Sequence, residues 1–194
     1  MKRVGLFGGS FNPVHVGHLV IAEQALSQAN LDLVLWMPAF RPPHKADARM
    51  PSAFDRLAMC RLATVGQPGF EVSDLEIQRE GVSFTVDTVR KLEELHPDWD
   101  LHMILGSDSL AALDTWKDPA GLLEKVTLIV YPRHGDEKTA ERLEATQARG
   151  FLLDAPLLAI SASDVRGRLA RGQSVRYLIP DRVLSYVEDH ALYR

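Results

Sequence analysis

The sequence predicts an α/β fold of the Rossmann-like, doubly wound type, with a mainly parallel sheet and helices on both faces. Two observations near the N-terminus indicate this fold. A short apolar strand runs into the glycine pair Gly8–Gly9 and is followed at once by a helical apolar pattern. Residues 31–37 then form a nearly continuous apolar run, which is typical of a strand buried on both faces of a parallel sheet. Together they form a βαβ unit with an expected right-handed crossover.

Length and composition set the class of protein. The 194 residues fit a single domain, 1–194, with a C-terminal helical part over about 161–194. The formal net charge of −4 gives no general basic field for nucleic acid, so local positive groups must hold any anionic substrate. The single cysteine, Cys60, excludes an internal disulfide and has helical flanks, which predicts inert core. We find no membrane-spanning stretch and no signal peptide, and expect a cytoplasmic protein.

The first strand and helix bring chemical groups to one point. Gly8 and Gly9 let the backbone turn sharply or approach a ligand, and the free N–H groups of the following helix suit a phosphate. His15 and His18 lie three residues apart at the helix start and should face the same way, while Gly17 leaves room for a flat ring or a ribose. A glycine pair alone often serves packing, and a lone histidine is more often structural. The combined string favours a nucleotide site.

A loop with three prolines follows the second strand. It leaves the C-terminal end of that strand, the edge at which open α/β sheets bind ligands. Its Arg41, His44 and Lys45 are therefore candidate phosphate contacts, and the alternative is a solvated surface loop.

The middle of the chain continues the alternation. The predicted elements are a helix over about 53–64 capped by Ser52, a strand at 70–72, an edge excursion over 74–80, and a helix through Leu95. Ser83 or Thr85 is expected to cap this last helix, with Asp87 in its first turn.

The next two strands, at 101–105 and 126–131, end in polar groups at the binding edge. After the first, Gly106 and Asp108 form a small turn that can hold ribose hydroxyls, although Asp108 can equally cap a helix. After the second, Arg133 is either a phosphate contact or a free surface arginine. Between them, Trp116 stands in a polar loop, where it should be buried or stack on a ligand.

The C-terminal part contains a second candidate phosphate site. The predicted elements are a helix over 139–147, a last strand from 151–153 and 157–160, a helix that opens at 161–166, and a closing helix over 181–191. Ser161 and Ser163 are normal helix caps. Arg166 is a cation near a helix start, where it opposes the helix dipole, and an anion between it and the N–H groups explains that position.

Two strings identify a family. Residues 8–18, GGSFNPVHVGH, resemble the nucleotidyltransferase superfamily signature GxFxPxHxGH. Residues 160–166, ISASDVR, resemble its second signature, ISSTxxR, with Ala162 and Ser163 departing from the Ser-Thr form. The PPHK loop, the SFTVDT segment, GSDSL and the Thr-Trp pair resemble the nicotinate mononucleotide adenylyltransferases in particular. Phosphopantetheine adenylyltransferases share both signatures but are shorter and lack the Thr-Trp segment, and no KMSKS-like motif of the tRNA synthetases is present.

The resemblance implies adenylyl transfer from ATP to nicotinate mononucleotide, giving deamido-NAD and pyrophosphate, with Mg²⁺ carried on the ATP phosphates and no protein metal site. It implies catalytic roles for His15, His18, Lys45 and Arg166. It implies ATP contacts at Gly8, Gly9, Ser10, Phe11, His15, Gly17, His18, Gly106, Asp108, Ser161, Ser163 and Arg166. It implies mononucleotide contacts at Ser10, Lys45, Phe84, Thr85, Trp116 and Arg133.

Three alternatives stay open: nicotinamide mononucleotide as acceptor, phosphopantetheine as acceptor, and a non-catalytic nucleotide-binding module. The expected partners are small molecules rather than nucleic acid or membrane, and assembly into a homo-oligomer is left open.

Overall fold

A computed structural model describes residues 1–43, 50–133 and 136–194. Its centre is a six-stranded sheet in which every described strand pairing is parallel, with the order β3-β2-β1-β4-β5-β6. The strands are β1 (Lys2–Gly9), β2 (Leu33–Pro38), β3 (Phe70–Val72), β4 (Trp99–Gly106), β5 (Thr127–Tyr131) and β6 (Gly150–Leu152). The doubly wound fold is thereby confirmed. The strand order reverses between β1 and β4, the switch point at which such sheets bind ligands.

Helices cover the sheet on both faces. In the described part of the chain they are α1 (Val16–Gln28), α2 (Ala53–Thr64), α3 (Leu75–Arg79), α4 (Thr85–Leu95), α5 (Ser107–Ala111), α6 (Pro119–Leu123), α7 (Thr139–Ala145), α8 (Ala162–Ala170) and α9 (Asp181–Asp189). A 3₁₀ turn, Leu113–Thr115, joins α5 to the loop before α6. No helix among these is long and apolar enough to cross a membrane.

Strand β2 shows how the sheet divides two cores. All of its residues are buried, and successive side chains point to opposite faces. Val34 and Trp36 pack in the cluster shared with α1, α2, α8 and α9. Leu33, Leu35 and Met37 pack in the cluster shared with α4 to α7. The continuous apolar run in the sequence therefore reflects burial on both sides.

Helix α2 forms as its sequence predicts. The Ser52 hydroxyl accepts the Asp55 backbone N–H at 3.0 Å, and the Asp55 carboxylate accepts the Ser52 backbone N–H at 3.2 Å. Cys60 lies in the buried face of this helix, where burial raises the pKa of its thiol. The predictions of a Ser52 cap and of an inert Cys60 are confirmed.

The prediction for residues 74–89 was wrong in two respects. The expected edge excursion contains the short helix α3, and the backbone reverses after it at Glu80 and Gly81, which both have positive φ. Neither Ser83 nor Thr85 caps α4, because Phe84 occupies the N-cap position without a side-chain bond. The Ser83 hydroxyl instead accepts the Phe40 backbone N–H at 3.0 Å, so it joins α4 to the loop after β2.

The last strand is shorter than predicted. Strand β6 pairs with β5 only through Gly150–Leu152, and residues 157–160 form no strand. Pro156 removes a backbone donor just where pairing would have to continue. Leu157 and Leu158 are 57% and 44% exposed, and the segment leads directly to α8. An apolar run at a sheet edge is therefore not sufficient evidence for a strand.

Candidate active site

A cavity of about 270 Å³ opens at the C-terminal ends of β1, β2 and β4. It is lined by two groups of predicted site residues. From the predicted ATP set it contains Gly8, Gly9, Ser10 and Gly106, and from the predicted mononucleotide set Ser10, Phe84, Thr85 and Trp116. Ser10, directly after β1, belongs to both sets, so the C-terminal end of β1 borders both parts of the cavity. Next to this cavity lie the histidine pair and the start of α8.

The turn after β1 brings backbone, rather than side chains, to the cavity. A Cβ added at Gly8 would meet no atom within 4 Å, so a ligand can approach the strand end closely. Phe11 adopts a positive φ of 44°, and its ring is only 2% exposed beneath Gly9. The Phe11 side chain is therefore not available to ATP, and a contact from this residue is limited to its backbone.

His15 and His18 form a stacked pair at the start of α1. Their ring centroids are 3.7 Å apart with an angle of 26° between the planes, so the predicted common orientation is confirmed. The His15 backbone N–H donates to His18 Nδ1 at 3.1 Å. A neutral His18 ring must then carry its proton on Nε2. The Phe11 ring packs edge-on against His18 at 5.2 Å and fixes the orientation of the imidazole.

The surroundings of His15 keep its imidazole neutral. Burial and, to a smaller extent, the nearby positive charge of Arg133 together lower its pKa from 6.5 to about 4. Its Nδ1 is buried and has no hydrogen-bond partner among the described residues. A neutral ring at physiological pH has one N–H donor and one acceptor. His15 can therefore offer hydrogen bonds to a ligand but not a fixed positive charge.

The structure gives a different reason for the glycine at position 17 from the predicted contact with a ring or a ribose. A Cβ at this position would lie 3.0 Å from Nδ1 and 3.1 Å from Cε1 of His15. The space that the sequence analysis reserved for a ring or a ribose is thus filled by the His15 imidazole. The prediction of a direct ATP contact at Gly17 loses its basis, since the missing side chain makes room for a neighbouring histidine.

The start of α8 contacts the turn after β1. Ser161 caps the helix, its hydroxyl accepting the Asp164 backbone N–H at 3.0 Å. Arg166 donates to the Ser163 hydroxyl at 3.2 Å and to the Asn12 carbonyl at 2.8 Å. The two sequence signatures are therefore in direct contact. Arg166 is only half-buried and keeps further N–H groups for an anion.

Asp108 and Arg133 form an ion pair at the ends of β4 and β5, with 3.0 Å between the carboxylate and Nε. The pair crosses Gly106, where an added Cβ would lie 2.5 Å from Asp108 Oδ1 and 3.1 Å from Arg133 Nε. A side chain at position 106 would therefore push this ion pair aside. Asp108 is in the first turn of α5 rather than at its N-cap, which is Gly106, so the capping alternative was wrong. Both side chains are more than half exposed and accessible to a ligand.

The side of the cavity at which the sequence predicts mononucleotide contacts has an aromatic and a charged wall. Trp116 is half-buried there, together with Phe84 and Thr85 at the start of α4. Lys117, which the sequence analysis missed, donates to Asp87 at 2.8 and 2.9 Å and lies 4.9 Å from the centre of the Phe84 ring. In the sequence, a lysine next to a loop tryptophan looks like an ordinary surface residue. Only its contact with α4 in the structure indicates that it belongs to the cavity.

Two further charged residues at the site have no clear signal in the sequence. Glu76 of α3 lines the cavity at 6% exposure and accepts the Thr88 hydroxyl at 2.6 Å. Arg56 of α2 is completely buried beneath the turn after β1. Both lie in short helical patterns in which charged residues normally face solvent.

Some predicted residues are not brought into the site by the described structure. His44 and Lys45 lie outside the described residues. Arg41 is exposed near the start of the loop after β2. Within residues 1–43, 50–133 and 136–194, no group of three or more histidine, cysteine or carboxylate side chains is placed to hold a metal ion.

The chain matches the sequence profile of the cytidylyltransferase-like family over residues 6–168. It is 45% identical to a protein of Salinibacter ruber, with 98% of this chain and 97% of that protein covered. It is 41% identical to a protein of Desulfitobacterium hafniense, with 100% and 96% covered. Both relatives carry the name "probable nicotinate-nucleotide adenylyltransferase".

Solved structures have the same fold. The Plasmodium falciparum nicotinic acid mononucleotide adenylyltransferase complexed with NaAD superposes with a TM-score of 0.83 at 20% identity, covering 100% of this chain and 98% of that one. The same enzyme complexed with APC gives a TM-score of 0.81 over the same coverage.

Proposed function

The chain belongs to the cytidylyltransferase-like family, and on that premise we propose that it is a nicotinate-nucleotide adenylyltransferase of NAD biosynthesis. It transfers the adenylyl group of ATP to nicotinate mononucleotide and releases pyrophosphate. The observation that carries this assignment is the full-length similarity to relatives of that name. The site agrees with it, because a phosphate-binding turn and an aromatic acceptor pocket share one cavity.

The reaction needs no protein nucleophile. An oxygen of the acceptor's 5′-phosphate, ionised at neutral pH, attacks the α-phosphorus of ATP. The bond from that phosphorus to the bridging oxygen of the β-phosphate breaks, and pyrophosphate leaves with the electron pair. Catalysis therefore consists of alignment of the two phosphates and stabilisation of the charge that develops between them.

The described residues divide this work. His18 and His15 donate hydrogen bonds to the α-phosphate as its charge redistributes, since both rings lie beside the turn after β1. Arg166 and Ser163 hold the outer phosphates and the leaving pyrophosphate. Asp108 accepts the ribose hydroxyls, and Arg133 holds a phosphate once its partner carboxylate is engaged. Lys45 is assigned to the phosphates from its sequence position.

ATP enters as its Mg²⁺ complex. The described side chains contain no carboxylate cluster that fits a metal of the protein's own. Mg²⁺ readily keeps water and phosphate oxygens as its ligands, so it arrives and leaves with the phosphates.

The pyridine ring of the acceptor binds on the side of the cavity away from the ATP phosphates. Trp116 provides a flat surface for the pyridine ring. The start of α4 is close by, and no described side chain caps it, so its first N–H groups are available to the carboxylate of nicotinate.

The test is a pyrophosphate-release assay on one preparation with ATP and, in turn, nicotinate mononucleotide, nicotinamide mononucleotide and phosphopantetheine. We expect the highest specificity constant for nicotinate mononucleotide. Faster release with either other acceptor would reassign the substrate. ATP binding without pyrophosphate release from any of them would identify a nucleotide-binding module instead.

A further inference from the structure

Arg56 is a buried cation beneath the two loops that form the cavity. The residue is 0% exposed, and among the described residues its guanidinium donates only to backbone carbonyls. It donates to Ser10 at 2.8 Å, to Phe40 at 3.0 Å and, more weakly, to Pro51 at 3.4 Å. No carboxylate forms an ion pair with it in the described part of the chain. The neighbouring Asp55 carboxylate favours the charge only as a minor electrostatic influence, and burial lowers the pKa of Arg56 overall. A buried charge without a direct ion-pair partner is costly, so its position requires an explanation beyond packing.

The two short bonds join opposite sides of the site. Ser10 belongs to the turn after β1, which borders the ATP side. Phe40 begins the loop after β2, whose Pro42 and Pro43 line the cavity. The backbone of Phe40 is held on both sides of its Cα, since its N–H donates to the Ser83 hydroxyl at 3.0 Å just before α4 while its carbonyl accepts from Arg56. The guanidinium fork of Arg56 therefore sets the distance between the ATP turn and the acceptor wall.

The bond to Ser10 also orients a donor. In a trans peptide the N–H points away from the carbonyl, and the Ser10–Phe11 peptide is trans. Because the Ser10 carbonyl points inward to Arg56, the Phe11 N–H points out of the interior. No described group accepts that N–H. It is a backbone donor without a partner at the edge of the phosphate site, as an oxyanion requires.

We propose that Arg56 is a positioning residue for adenylyl transfer. By binding the Ser10 and Phe40 carbonyls together, it aims the Phe11 N–H at the reacting phosphate and aligns donor and acceptor. It touches neither substrate. The expected effect of Arg56 on turnover rests on the proposed function. The orientation of the Phe11 N–H does not depend on it.

Arginine is specifically suited to this position. Its planar fork reaches two carbonyls at once and stays charged when buried, whereas the lysine ammonium is a point donor. Arg56→Lys should therefore keep the charge and lose the alignment. Arg56→Gln should lose both.

The first experiment measures steady-state kinetics with ATP and nicotinate mononucleotide. We expect kcat to fall about 10- to 100-fold in Arg56→Gln and Arg56→Lys, with both KM values within about threefold, because misalignment affects the transition state more than binding. Met59→Ala is the matched control, since Met59 is fully buried in the same helix. It should lower the melting temperature and leave kcat unchanged when assayed well below that temperature.

Two kinetic results would overturn the proposal. One is a folded Arg56→Lys with wild-type kcat, and this variant keeps the question open to test even when Arg56→Gln does not fold. The other is an equal loss of kcat in Met59→Ala at an equal loss of thermal stability, which would show that Arg56 only stabilises the fold.

The second experiment does not depend on turnover. The chain has 7 phenylalanines, so ¹⁵N-phenylalanine labelling gives few amide signals, and Phe11→Leu assigns one of them. Adding ATP alone should shift the Phe11 amide in the wild-type protein and leave it nearly unmoved in Arg56→Lys. A shift in the wild type without pyrophosphate release would refute the proposed function and keep the role of Arg56. The same shift in both proteins would refute the role itself.

Discussion

Arg166 donates a hydrogen bond to the Asn12 carbonyl at 2.8 Å, across 154 residues of sequence. The contact makes one site of two distant strings, because Asn12 is in the turn after β1 and Arg166 is in the first turns of α8. Arg56 likewise donates to the Ser10 carbonyl, so two carbonyls of the same turn each accept a hydrogen bond from a different arginine. The turn is therefore fixed from α2 and from α8.

Replacing Arg166 tests whether it binds phosphate in addition to its structural bond to the Asn12 carbonyl. Arg166→Ala should weaken ATP binding by about 10- to 100-fold, since it removes a charge-assisted phosphate contact and frees the Asn12 carbonyl. Arg166→Lys should recover part of the affinity through its charge alone. Calorimetric titration with ATP measures both. Unchanged affinity together with a lower melting temperature would show that Arg166 is only structural.

His18→Ala should reduce kcat by about 100- to 1,000-fold and leave the fold intact, because it removes a donor directed at the developing charge. His96→Ala is the matched control. His96 also stacks on an aromatic ring, Trp99, but lies just before the N-terminal end of β4, whereas the cavity is at the C-terminal ends of the strands. Circular dichroism and pyrophosphate release should be recorded for both variants. Near-normal turnover in a folded His18→Ala protein would remove His18 from the mechanism.

His15 should make stability depend on pH. Its pKa lies near 4 in the folded protein and near 6.5 in the unfolded chain, so the unfolded state binds more protons between these values. Stability is then full above about pH 6.5 and is lost as the pH falls towards 4, by up to about 3 kcal/mol. The free energy of unfolding, measured in urea from pH 4 to 8, should fall more steeply with acid in the wild type than in His15→Gln. Parallel curves would contradict the burial of a neutral ring.

The sequence was sufficient for the mainly parallel α/β sheet and for the placing of His15, His18 and Arg166 near helix starts, because glycine turns, continuous apolar runs and helix starts are local signals. It was not sufficient where a residue acts through a distant partner. Lys117 and Arg56 were missed for this reason, since their partners lie 30 and 46 positions away. Gly17 was misinterpreted for another reason: the room left by its missing side chain is taken by the imidazole of the nearby His15, whose orientation the sequence does not show.

The choice of acceptor depends on charge around the start of α4. Nicotinate has a carboxylate where nicotinamide has a carboxamide, and a tryptophan face such as that of Trp116 would stack on either ring without distinguishing them. The uncapped N–H groups of α4 favour the carboxylate. The carboxamide would direct its own N–H₂ at these donors, with a penalty of about 1–3 kcal/mol for each unpaired group.

Asp87, in the first turn of α4, would oppose a carboxylate if its charge were uncompensated. The structure pairs it with Lys117 at 2.8 Å, and this pair also holds the Trp116 loop against the helix. The specificity constant for nicotinate mononucleotide should therefore exceed that for the amide by about ten- to a hundredfold. Lys117→Met should reduce this ratio, because Asp87 then keeps only the longer, 4.0 Å ion pair with Arg90, and adding Asp87→Asn should restore it.

Lys125→Met is the matched control for that series, since Lys125 pairs with Glu93 of the same helix at 2.7 Å but does not line the cavity. Its ratio of specificity constants should equal that of the wild type. Equal constants for the two mononucleotides in the wild type, or a preference for the amide, would refute the account based on the start of α4. A reduced ratio in Lys125→Met would show that any ion pair on α4 has the same effect, and that the charge of Lys117 is not what selects the acid.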